Sequence, residues 1–255
     1  MLYDLGVPPK RLGLSKLTMI GYERAEKIAE KYIPLLDGRI VINERIATHY
    51  APGKDFLLID GGITDQLVSK LFPLKVSKSK IYTFVLAGML WDQNGTRLVL
   101  EALKVRPNLN VKIKICGKGI DVPLIEEAAK SDSRIEYLGM LTQDQLFKVY
   151  EGADVLLNLR IEEEEDFHFP GKLLECLTMG KLVVSTPVAH AERDYGQYMK
   201  VLHDITSEGL ANLIQEITET SKRELYELGK RARAFMLENR TWKKRTEDIL
   251  SYMNL

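Results

Sequence analysis

The sequence predicts an α/β protein: a Rossmann-like, doubly wound parallel sheet preceded by a partial second α/β domain. Three observations carry this. From residue 81 onward, short apolar runs alternate with segments of helical period, the rhythm of a parallel sheet covered on both faces. Glycines close the strands at Gly88 and Gly117, and the 159–171 loop closes another; ligands of such sheets bind at these carboxyl ends. Residues 1–78 supply only two short strands and one good helix, too few to close a core alone. At 255 residues the chain has room for one large or two modest domains.

Composition excludes several function classes. Apolar residues make up 45% and charged residues 28%, ordinary values for a globular protein. The formal net charge is zero, so nothing overall points to a nucleic-acid partner. Cys116 and Cys176 fall in predicted buried segments without metal-ligand spacing. They read as reduced core residues, which places the protein in the cytoplasm. No apolar run approaches membrane-spanning length. The first ten residues lack the basic and apolar blocks of a signal peptide.

Taken in order, residues 1 to about 17 read as a loop containing Pro8-Pro9. Ala25, Ile28, Ala29, Tyr32 and Ile33 recur at helical spacing and predict an amphipathic helix. Strands are expected at 39–43 and 56–60 with a short helix between them. Asp60-Gly61-Gly62 makes a turn, 64–71 a small helix, and 72–80 a polar linker. The regular part follows. Strands are predicted at 81–87, 111–116, 134–138 and 154–158. Helices follow them from Gly95, over 122–130, and from Thr142, where Thr142-Gln-Asp-Gln145 has capping-box spacing. Beyond Pro187 come an edge strand at 200–203, a helix over 207–219, a long helix through Leu225 and Met236, and a last helix. Trp242, Ile249, Leu250 and Met253 are expected to be that last helix's packed side. The basic residues between 222 and 245, interleaved with glutamates, read as a solvated face. The alternative is contact with an anionic membrane surface.

The chain is organised around residues 166–186. Pro170 suits a helix's first turn, Leu173, Leu174 and Leu177 form an apolar stripe, and Gly180 sits where a left-handed cap is needed. Leu182-Val183-Val184 is then a buried strand. Helix N-termini favour anions. Gly171 permits close approach of a ligand to the backbone, and Lys172 adds a full charge. Glu175, one turn on, is a good acceptor for a sugar diol. Together these suggest a nucleotide diphosphate with its ribose held; the plainer reading is an ordinary helix with a surface lysine and glutamate. His168 and His190 read as loop histidines bonded to backbone. Glu162 to Asp166 read as a solvated acidic run rather than a metal site.

The order of the pieces adds more. Ala87-Gly88, Asn94-Gly95, Gly117-Lys-Gly119, Tyr137-Leu-Gly139, Tyr150-x-x-Ala153-Asp154 through Asn158, and Phe169-Pro-Gly-Lys-Leu-Leu-Glu175 through Thr186 follow one another. This series resembles the C-terminal, donor-binding half of the family-4 glycosyltransferases, which have the two-domain GT-B fold. The subgroup it is most similar to works on capsule and lipopolysaccharide. The resemblance divides the chain into a remnant of the N-terminal, acceptor-side domain (1–78), the nucleotide-sugar domain (79–240), and a C-terminal helix (241–255) crossing back to the first part. It implies transfer of a sugar from a UDP- or GDP-type donor to a glycan or lipid-linked acceptor. Retention at the anomeric carbon and no obligatory metal or other cofactor are implied too. Glu175 matches the second glutamate of the family's E-x7-E motif, which holds the ribose. The amides around Phe169, Pro170 and Gly171 match those facing sugar and diphosphate, and Met140 and Leu141 match positions contacting the base.

Two departures accompany the resemblance. The first motif glutamate falls at Phe167, and the family's cations after the first strand fall at Met89 and Asn94, leaving Lys172 to supply charge. The catalytic groups stay unassigned. Beside the transferase reading stands a non-catalytic or half-transferase subunit, paired with a partner chain or a second copy that supplies the acceptor domain. A nucleotide-sugar epimerase or phosphorylase of the same fold is a third option. Peripheral contact with the inner face of the membrane accompanies the lipid-linked acceptor.

Overall fold

In the computed structural model the described residues are 16–161 and 169–254. Six strands make one parallel sheet: β3 (Tyr82–Met89), β4 (Val111–Lys118), β5 (Ile135–Tyr137), β6 (Val155–Asn158), β7 (Leu182–Ser185) and β8 (Lys200–Val201). Their spatial order is β5-β4-β3-β6-β7-β8. The chain therefore winds outward from β3 in one direction, returns, and winds outward from β6 in the other. A crevice opens where the direction reverses, outside the carboxyl ends of β3 and β6.

Alternation along each strand feeds two core layers, because successive strand side chains point to opposite faces. Phe84, Leu86, Val155, Leu157 and Val184 bury against α4 (Thr96–Val105), α5 (Val122–Ser131) and α9 (Ser207–Glu219). Val85, Leu156 and Val183 bury against α6 (Gln143–Glu151), α7 (Gly171–Thr178) and α10 (Lys222–Asn239). The capping box at Thr142 forms as the spacing predicts, with both reciprocal bonds to Gln145. Gly180 ends α7 in the left-handed conformation, φ 66°. Pro170, expected inside the first turn of α7, stands one residue earlier as its N-cap.

The opening segment is smaller. Helix α1 (Lys16–Tyr32), α2 (Glu44–Tyr50) and two parallel two-residue strands, β1 (Ile40–Val41) and β2 (Leu57–Leu58), enclose Ala29, Val41, Ile46, Ala47 and Tyr50. The predicted stripe of α1 is only partly used. Ala29 is buried, but Ile28 and Tyr32 are half exposed, because two short strands offer too little surface to cover the helix. Helix α3 (Asp65–Ser69) packs Leu67 on the second core layer.

The last helix, α11 (Trp242–Tyr252), corrects an expectation. Trp242, Leu250 and Met253 are exposed, and the residue it buries is Arg245. The basic run from 222 to 245 is solvated at Arg223, Lys230, Arg231, Lys243 and Lys244, as expected, but four of its members are structural, Arg245 among them. Lys222 pairs with Asp154 at 2.8 Å, and Arg233 donates to the carbonyls of Phe72, Thr178 and Met179. Arg240 donates to the Tyr195 hydroxyl. Backbone bonds from Ile63 to Arg240 and from Trp242 to Ile63 join the end of the chain to the opening segment.

Candidate functional site: the crevice at the carboxyl ends of β3, β4 and β6

Gly88 and Gly117 lie side by side in register on β3 and β4, at φ 129° and 135°. A Cβ on Gly117 would stand 1.9 Å from the Gly88 carbonyl oxygen, and one on Gly88 would stand 3.1 Å from the Lys172 Nζ. Only glycine fits this pair, and the result is a bare backbone floor with an ammonium above it. Lys172 reaches it from the first turn of α7, so the helix start, the cation and the two strand ends converge. Gly171 is exposed, with open space where a side chain would be.

Glu175 lies one turn into α7 and is half-buried. Burial pushes its carboxyl upward, against the pull of the Lys172 charge and the nearby Tyr150 hydroxyl. Beneath it Cys176 is fully buried, its thiol pushed up to about 12, and Cys116 on β4 to about 11, both by burial. Both are free thiols and inert packing groups.

The remaining residues picked out by sequence divide into near and far. Gly117 N–H donates to the Gly139 carbonyl, which brings Met140 and Leu141 to the crevice edge beside β4. Met140 is 65% exposed, while Leu141 packs partly on the core. Phe169 is buried, its ring stacked on His190 at 4.6 Å. It therefore contributes backbone rather than a side chain to the opening. Glu162 to His168, and with them Phe167 of the glutamate motif, fall outside the described residues.

Sequence reading passed over Arg160. It follows β6, its Nη1 donates to Asn94 Oδ1 at 3.5 Å, and Asn94 Nδ2 donates to the Met89 carbonyl at 2.8 Å. A fork-shaped cation thus stands beside Asn94 and the end of β3, near the positions where the family's cations were expected. No local pattern marks it, because the contact joins residues 66 apart.

His190 behaves differently from expectation. It is buried, and its Nε2 faces Asp60 Oδ2 at 3.3 Å rather than bonding backbone. Asp60 also accepts from the Tyr195 hydroxyl and from Arg245 at 2.6 Å. Burial alone would raise the Asp60 carboxyl, but the bonds from His190 and Tyr195 and the Arg245 charge hold it below its ordinary value. Asp194 brings a third candidate ligand atom within 4.8 Å of those of Asp60 and His190. Because Asp60 is already neutralised by Arg245, this group works as an ion-pair hub.

Comparisons with known proteins agree with this architecture. No curated protein sequence matches the chain. Among solved structures, the sucrose-phosphate synthase of Thermosynechococcus elongatus superposes with a TM-score of 0.68 at 16% identity, covering 98% of this chain and 65% of that one. Anabaena HepE in complex with UDP gives 0.66 at 17%, covering 84% and 63%. TarM gives 0.68 at 15%, covering 91% of this chain and 46% of its own. This chain thus spans about half to two thirds of the length of these structures, and the shared fold is the Rossmann-like one of GT-B glycosyltransferases. The profile of the family described as "Glycosyl transferases group 1" matches residues 81–220, more than half the chain and the whole of the crevice just described. The chain that builds this glycine floor and the helix over it thus belongs to the group 1 glycosyl transferases.

Proposed function

We propose that the crevice binds a nucleotide-diphosphate sugar, of UDP type first and GDP type second, and that the protein transfers the sugar with retention to a glycan or lipid-linked acceptor. The observation that carries this is the Lys172 ammonium seated over Gly88, with Glu175 one turn away on the same helix. The diphosphate lies on the glycine floor against the amides at the start of α7, between Lys172 and Arg160. Glu175 accepts the ribose hydroxyls, and Met140 and Leu141 border the base. Departure of the diphosphate develops negative charge where these fixed donors already point, so they stabilise the transition state more than the ground state. No step of this scheme requires a metal. UDP is the first choice because the similar HepE structure contains it.

Calorimetric titration with UDP and GDP tests the site. Wild-type protein is expected to bind one of them and Glu175→Ala to bind it about 10- to 100-fold more weakly, the loss of hydrogen bonds to a charged group. Equal binding by the variant rejects the assignment.

A second reading, a half-transferase that draws its acceptor side from a partner chain or second copy, is favoured by the exposed Ile28, Tyr32, Leu35 and Leu36 on the opening segment. A complementing chain recovered in copurification, with activity restored, supports it. Peripheral membrane contact would fall to the exposed Trp242, Lys243, Lys244 and Met253 of the last helix region, and flotation with anionic liposomes reads it directly. Among the described residues no helix is long and apolar enough to cross a membrane.

A further inference from the structure

Tyr150 lies in the last turn of α6, in the core layer on which α7 packs. Its ring is 1% exposed and stacks on Phe147 at 6.2 Å, inside the core layer that also holds Cys176 and Leu173. Its hydroxyl finds no aligned hydrogen-bond partner. A buried hydroxyl left unsatisfied costs about 1–3 kcal/mol, and phenylalanine would fill the same space without that cost. The polar groups beside it are the Glu175 carboxylate and the Cys176 thiol. A protonated thiol is a weak acceptor. The carboxylate is a strong one.

We infer that Tyr150 is a positioning residue of the donor site: its hydroxyl holds one oxygen of Glu175 from below and leaves the other oxygen to the ribose diol. The inference rests on the donor-site reading above. Lys172, three residues before Glu175 on the same helix, pulls on the same carboxylate. Without the hydroxyl, Lys172 is the carboxylate's strongest remaining neighbour and draws it off the ribose, while the ammonium stays over the glycine floor. Tyr150 thus keeps the carboxylate on the ribose side of the crevice.

A double-mutant cycle tests this, with UDP, GDP and inorganic pyrophosphate titrated into wild type, Tyr150→Phe, Glu175→Ala and the double variant. Tyr150→Phe is expected to bind the nucleotide about tenfold more weakly, the worth of one charge-assisted hydrogen bond. It should bind pyrophosphate as wild type does, add no further loss on the Glu175→Ala background, and unfold at the same or higher urea concentration. Unchanged nucleotide binding, an equal loss for pyrophosphate, or additive losses in the cycle overturn the inference while leaving the donor site standing. Wild type binding neither nucleotide overturns the donor-site reading and this inference with it. Should the phenylalanine variant fold poorly, 3,5-difluorotyrosine at position 150 keeps the shape and strengthens the donor. Tighter nucleotide binding then supports the role, and unchanged or weaker binding overturns it.

Discussion

Glu175 carries two opposed demands, since burial favours its neutral form while the proposed grip on a sugar diol needs it as an acceptor. With its carboxyl raised above the ordinary 4.5, nucleotide binding should weaken on acidification with a midpoint above that value. The nucleotide's own phosphate titrates in the same region, so the informative quantity is the difference from Glu175→Gln, which should lack the carboxylate's part of the pH dependence. Stability runs the other way. A carboxyl raised by folding burdens the native state once it ionises, so its penalty is absent below 4.5 and grows as pH rises through the raised value. Glu175→Gln should therefore keep or raise the urea midpoint at neutral pH while binding nucleotide less well, a trade common where sites are built from buried charge. Equal pH profiles for variant and wild type would remove Glu175 from the site. Arg160 makes a parallel prediction: Arg160→Ala should weaken UDP and pyrophosphate alike, by roughly tenfold, if its proposed place beside the diphosphate holds. A loss confined to the nucleoside would contradict that placement.

Helix α7 is the element on which this site depends, and its two ends are secured differently. Its start is exposed at Gly171, with open space around it. Its finish is closed by Arg233 of α10, which donates to Thr178 and Met179 at 2.9 and 2.6 Å and to Phe72 of the linker at 2.8 Å. Burial lowers the Arg233 guanidinium to about 10, still protonated at neutral pH. Arg233→Met retains the stem and abandons three carbonyls, and should cost about 2–3 kcal/mol in urea unfolding. A change below half a kcal/mol would mean that water replaces those bonds. This helix also marks what sequence could reveal. Its apolar stripe, its glycine end and the strand after it were legible, because period and turn residues are local signals. The same holds for the alternation of strands and helices from residue 81. Arg233 was not legible, since a buried arginine inside an interleaved run of charges looks like a solvated one until its partners, 54 to 161 residues away, are placed. The overestimated packing of α1 and α11 has the same origin: an amphipathic pattern says which face would bury, not whether anything lies there to cover it.

Across the whole molecule the hub at Asp60 ties three separate stretches together. Asp60 comes from the opening segment, His190 and Tyr195 from the N-cap and the end of α8 (Ala191–Tyr195), which follows β7, and Arg245 from α11, 185 residues from Asp60. His190 also stacks on Phe169 at the entrance to α7, so the hub touches the frame of the crevice. A carboxyl lowered by folding contributes stability that is full above its ordinary 3.8 and disappears as pH falls through the lowered value. The hub therefore stays closed across the neutral range and opens only in strong acid. Its weak point is Arg245, because removing one member of a buried pair leaves the other charge uncompensated, at a cost of about 3–5 kcal/mol. In Arg245→Met that cost falls first on the opening segment, whose own core is small, and on the last helix. Amide hydrogen exchange should lose protection across residues 57–67 and 242–252, while 111–117 and 182–185, buried between two helical layers, keep theirs. Equal loss in all four stretches would mean that the chain unfolds as one cooperative unit. No loss in any would mean that the backbone bridge between Ile63 and Thr241, rather than the ion pair, fastens the end of the chain to its beginning.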